Sequence, residues 1–135
     1  MNEDERYSVA KEFADTLGKK LDLRDSPNIV LIDGENGTYG GYIQSKNCIE
    51  INRMYLDDPK ELIDTFSHEM RHAYQHYRTD LLETKEDALF RVNFDNYISS
   101  LELPGGGYLM FYDYWNQYVE VDARAFANKF TEAMA

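Results

Sequence analysis

Apolar residues recur along this chain with two different periods, and the order in which the periods alternate sketches a fold. Over residues 3–20 they fall at helical spacing, through Tyr7, Ala10, Phe13, Ala14 and Leu17 with Gly18 near the end, which predicts an amphipathic helix. Residues 28–33 carry the short run Ile29-Val30-Leu31-Ile32, suited to a central strand. Residues 38–44 and 47–53 predict two further strands, joined by a tight turn at Ser45-Lys46. Gly34, Gly37, Gly40 and Gly41 cluster here, but no Lys-Ser/Thr pair and no helix follows them. They therefore predict turns and bulges rather than a phosphate cradle.

A second helix begins at Asp57-Asp58-Pro59-Lys60-Glu61. Asp58 has the chemistry of an N-cap, Pro59 suits the first helical position, and Glu61 is placed to return the cap. Leu62, Phe66, Met70, Ala73 and Tyr77 then recur at helical spacing, with Ile63 and Tyr74 widening the stripe, so the helix should span 59–78. Residues 85–100 predict a further helix, Pro104-Gly105-Gly106-Gly107 a flexible break, and 118–130 a last helix. The resulting class is α+β: one domain over 1–135, with an N-terminal helix, a small three-stranded and mainly antiparallel sheet, and two long helices.

His68-Glu69-Met70-Arg71-His72 spells the pattern His-Glu-x-x-His, and its His68/His72 face points nearly opposite to the apolar stripe of the second helix. Residues four apart lie one above the other on a helix, so both imidazoles can face one cation. Glu69 sits one position round, where it can reach a metal-activated water without being a ligand and act as general base. The competing reading is a solvated polar face with idle histidines. His76 continues the series, but on an unbroken helix it lies about 12 Å along the axis from His68, too far to share the ion. It is expected at the rim.

A third ligand must come from elsewhere. In the last helix Val119, Ala123, Phe126, Ala127, Phe130 and Met134 form an apolar arc, and Glu120 sits at its edge beside the small Ala123 and Ala127. A carboxylate at such a close contact needs a cation. Asp122, at the other edge of the arc, is the rival ligand, and pairing with Arg124 four residues on is the ordinary fate of Glu120.

His68-Glu69-x-x-His72 followed about fifty residues later by Glu120-x-Asp122-Ala123-x-x-Phe126-Ala127 resembles the compact glutamate-zincins, especially the ImmA/IrrE-type and related small bacterial and phage metallopeptidase-like domains. The resemblance covers residues 29–130, with its specific residues confined to two helices. It implies a minimal zincin-like fold and a zinc peptidase in which His68, His72 and Glu120 bind Zn²⁺ while Glu69 is the catalytic base. The Leu-Leu-Met-Pro-like end that often closes the family's last helix is absent here.

The aromatic run from Tyr108 to Tyr118 reads as core packing or, more sharply, as a pocket wall from which Tyr114 or Tyr118 donates a hydrogen bond to an oxyanion. An extended substrate peptide is expected to pair with the strand around 47–53. Net charge is −11 at pH 7, which disfavours nucleic acid and leaves a peptide or protein substrate as the expected partner. No apolar run approaches the roughly 20 residues of a membrane span. Together with an acidic start and the lone Cys48, this makes the cytoplasm the expected location. Two alternatives remain open: a catalytically silent zincin-like peptide-binding or regulatory module, and a metal-free α+β interaction domain.

Overall fold

The first helix, α1 (Glu3–Lys20), starts where its orphan N–H groups find an acceptor: Asn2 takes the Glu5 N–H at 2.9 Å. Glu3, Asp4 and Glu5 in the first turn and Lys19 and Lys20 in the last complement the helix dipole. The computed structural model describes residues 2–33, 40–55, 57–99, 101–102, 108–109 and 111–132.

Strands β1 (Asn28–Ile32), β2 (Gly40–Ile43) and β3 (Cys48–Asn52) form one sheet in the order β1-β3-β2. β2 and β3 are antiparallel, because a 3₁₀ turn at Gln44–Lys46 reverses the chain and closes on Asn47 in the left-handed conformation, φ 46°. β1 occupies the other edge of β3 and runs parallel to it, so the sheet is mixed rather than mainly antiparallel. Gly40 and Gly41 begin β2 instead of forming a turn or bulge. Gly40 approaches the Glu50 backbone so closely that a Cβ would collide with its carbonyl oxygen. Gly34, Gly37 and the first residues of the expected second strand lie outside the described residues.

Helix α2 (Pro59–Leu81) is capped by Asp58, which accepts the Lys60 and Glu61 N–H groups at 3.2 and 3.3 Å, with Pro59 in the first position, while the return bond expected from the Glu61 side chain is not made among the described residues. It runs past Arg78 by most of a turn. No glycine or proline stops it there, and Leu82, in the left-handed conformation, closes it by donating to the Arg78 carbonyl. Helix α3 (Lys85–Asp95) follows directly, started by a capping box between Thr84 and Asp87. Arg78 holds the buried Asp87 carboxylate with two bonds of 2.9 and 2.8 Å, locking the α2–α3 corner. The helix ends well before residue 100, where Asn96 caps it by bonding back to Val92, Asn93 and Phe94. Two short strands, β4 (Leu101–Glu102) and β5 (Tyr108–Leu109), and the five-residue α4 (Phe111–Trp115) lead into α5 (Tyr118–Glu132). The expected glycine break at 104–107 and Met134 lie outside the described residues.

The core gathers Ala10, Ala14 and Leu17 of α1, Ile49 and Ile51 of β3, Leu62, Phe66 and Met70 of α2, and Phe126 of α5. Each large apolar side chain buried here contributes about 1.5–3 kcal/mol. α2 lies at the centre of these contacts, packed on the sheet and α1 through this stripe and on α3 and α5 elsewhere. Ser67, Gln75 and Thr79 are buried as well, so α2 is more enclosed than an amphipathic reading suggests. Among the described residues no helix is long and apolar enough to cross a membrane.

Candidate metal centre

His68 and His72 stand one turn apart on α2, and the first turn of α5 brings Glu120 to meet them. Ala123 and Ala127 are fully buried, and these small side chains let the two helices approach. Glu120 is only 2% exposed. His72 Nε2 lies 3.1 Å from His68 Nε2 and 3.2 Å from Glu120 Oε2, and His68 Nε2 lies 3.2 Å from Glu120 Oε1.

These three side chains could hold one metal ion, since their candidate ligand atoms all fall within 4.8 Å of one another. A tetrahedral centre with ligands about 2.0–2.1 Å from the ion has donor-to-donor edges of about 3.3 Å. The two imidazole nitrogens, 3.1 Å apart, nearly match that edge, while each meets a different oxygen of the Glu120 carboxylate at 3.2 Å. Two imidazole nitrogens and one carboxylate oxygen also suit a borderline divalent ion and leave a fourth position open.

The cluster is strongly polarised. Burial alone would raise the Glu120 carboxyl, but its hydrogen bonds with His68 and His72 prevail and hold it well below the usual carboxylate range. For His72, burial disfavours the charged ring, yet the Glu120 hydrogen bond and the charges of Glu69 and Glu120 win and raise it to about 9. Glu69 lines the same cleft and, among the described residues, has no hydrogen-bond or ion-pair partner.

Two tyrosines meet the carboxylate from the far side. The Tyr97 hydroxyl donates to Glu120 Oε2 at 2.8 Å and the Tyr114 hydroxyl to Oε1 at 3.4 Å, with the two rings edge to face. Burial, reinforced by the Glu120 charge, pushes Tyr114 up to about 12 and Tyr97 well above the ordinary phenol range. Both stay protonated donors at neutral pH.

The cleft, about 680 Å³, runs between β2, the histidine face of α2, and Arg91, Phe94 and Asp95 of α3. His76 sits on its wall, stacked on Phe94 with ring centroids 3.8 Å apart. Burial, aided by His72, lowers it to about 4 and keeps it neutral. It is a rim residue, as the helix spacing requires.

The rival ligand Asp122 and the alternative Glu120 partner Arg124 are both engaged elsewhere. Asp122 accepts a fork from Arg71 at 2.7 and 3.2 Å, and Arg124 lies over the Trp115 ring, 3.7 Å from its centroid. Tyr118, the other tyrosine considered for oxyanion binding, is 42% exposed and packs toward Phe90, outside the cleft walls. The expectation that the strand around 47–53 receives a peptide is also corrected. β3 is the central strand, with both edges already paired, so an added chain has no backbone groups to meet there. β2 is the edge strand on the cleft, through Gly40, Gly41 and Tyr42.

Sequence reasoning missed Tyr97, whose contact with Glu120 spans 23 positions and leaves no periodic trace. It also missed the buried Gln75, although its place three residues after His72 on one helix was a usable signal. No family model matches the chain, and neither does any curated protein or solved structure.

Proposed function

We propose that this protein is a zinc-dependent peptidase whose ion is held by His68, His72 and Glu120. The observation that carries the reading is the convergence of these three side chains, His68 and Glu120 from positions 52 apart, with ligand atoms within 4.8 Å of one another, beside the Glu69 carboxylate, which has no hydrogen-bond or ion-pair partner among the described residues. When bound, zinc would acidify a water and polarise the scissile carbonyl.

The chain's own residues supply the remaining steps. Glu69 takes the proton of the attacking water and returns it to the leaving amine, a role worth about 10²–10⁴ in rate. The Tyr114 hydroxyl, in the cleft and protonated, gives up its long 3.4 Å bond to Glu120 to donate to the developing oxyanion. Among the described residues no strand pairs with the outer edge of β2, which offers backbone groups to an extended peptide, and Gly41, around which a Cβ would find open space, leaves room for it.

The test is a pair of variants read against a pool of unstructured peptides by mass spectrometry, with zinc content measured in parallel. Glu69→Gln should keep zinc and lose hydrolysis; His72→Ala should lose both. Full cleavage by the Gln variant would remove the mechanism. Zinc retention with no cleavage by the unmodified protein would leave a silent binding module instead.

A further inference from the structure

Gln75 is 0% exposed, and its side-chain amide has three hydrogen-bond partners. Its Nε2 donates to the Val119 carbonyl at 2.9 Å and to Asp122 Oδ2 at 2.8 Å. Both partners are acceptors, and Asp122 also accepts the Arg71 fork at 2.7 and 3.2 Å. The orientation of the Gln75 amide is therefore fixed, and its Oε1 is what faces His72 Nδ1 at 2.8 Å.

A carbonyl oxygen can only accept, so His72 Nδ1 carries a hydrogen. An imidazole that ligates a metal is neutral and has one such hydrogen, so in that state the Nε2 lone pair is the one that faces the ion between His68 and Glu120. The same amide grips the Val119 carbonyl, one residue before Glu120, and so ties the first turn of α5 to α2 beside the ligand it carries.

We infer that Gln75 is a positioning residue for the metal centre: through Asp122 and Arg71 it holds His72 in the tautomer that presents Nε2 to the ion and fixes the approach of Glu120. The inference rests on the zinc reading proposed above and goes beyond it, because it assigns metal affinity to a chain of three residues that touch no metal. Groups that orient a ligating histidine through its other ring nitrogen typically contribute 10–100-fold in metal affinity.

The experiment measures zinc affinity by chelator competition, together with the His72 Nδ1–H proton resonance of the zinc-loaded protein. It compares wild type, Gln75→Leu and Asp122→Ala. Gln75→Leu should weaken zinc binding about 10–100-fold and move the Nδ1–H resonance upfield, as its acceptor is lost. Asp122→Ala, at a side chain 21% exposed, should do the same by a smaller factor and decides the matter if the Leu variant does not fold. Unchanged affinity in the folded variant would overturn the inference. So would weaker binding with an unmoved resonance, the signature of a merely structural role. Wild-type protein that takes up no zinc sinks the metal reading itself, which the same titration shows before any variant is made.

Discussion

Zinc should act as a reversible cross-link between α2 and α5, and its effect on thermal stability can be estimated. His68 and Glu120 are 52 residues apart, so an ion joining them can bind the folded chain but meets no preformed site in the unfolded one. At free zinc 100-fold above the dissociation constant, linkage adds about 2.7 kcal/mol to unfolding. The unfolding entropy of a chain of 135 residues is about 0.28 kcal/mol/K at roughly 2.1 cal/mol/K per residue. The melting temperature should then rise by roughly 10 °C over protein held in a chelator. Circular dichroism melts of wild type with zinc and with chelator read this directly, and a double variant, His72→Ala with Glu120→Ala, is the control. Coincident wild-type melts would refute the reasoning, as would an equal shift in the double variant.

Three further outcomes follow from particular contacts. Gly40→Ala drives a Cβ into the Glu50 carbonyl oxygen and should cost about 1–3 kcal/mol in urea unfolding. Gly41→Ala, with no heavy atom within 4 Å, should stay within about 0.5 kcal/mol. Asp87→Ala should cost about 3 kcal/mol, since it removes a charged hydrogen-bonded pair with Arg78 and the carboxylate that accepts the Glu83 and Thr84 N–H groups at the start of α3. The Arg78 hydrogen bonds outweigh burial and, with the Glu83 and Thr84 N–H groups, lower Asp87 to about 2. Its contribution is therefore complete above the ordinary carboxylate range and lost as pH falls through about 2, where wild type and variant should converge in stability. Tyr114→Phe should lower kcat by about 10² at unchanged zinc content, while Tyr118→Phe, outside the cleft, should match wild type in peptide-turnover assays.

The parts of this fold that rest on local chemistry were legible in the sequence. α1 appears at its predicted limits because an Asn cap, acidic first turn and apolar stripe all agree there. The start of α2 followed from Asp58-Pro59 in the same way. The site's three principal side chains were also readable, because a helical repeat placed His68 with His72 and an apolar arc turned Glu120 inward. The failures lie where long-range pairing decides or where a side chain competes with the helix's own backbone bonds. That β1 docks parallel on β3, which makes β3 central and β2 the cleft edge, is set by strand order and not by any residue pattern in 47–53. The end of α3 was set by Asn96, whose side chain bonds to the Val92 carbonyl and competes with continuing the helix. Tyr114 and Tyr118 differ by one helical turn in sequence, yet only the first enters the cleft, because α4 ends at Trp115 and a new helix starts at Tyr118. An aromatic run of this kind reports composition, not direction.

Zinc-edge X-ray absorption on zinc-saturated, desalted protein addresses the central claim most directly. The account predicts one tightly held ion per chain with two imidazole nitrogens and a carboxylate oxygen in its shell, and loss of that signal in His72→Ala. Zinc that washes away on desalting, or a shell without imidazole scattering, would contradict it.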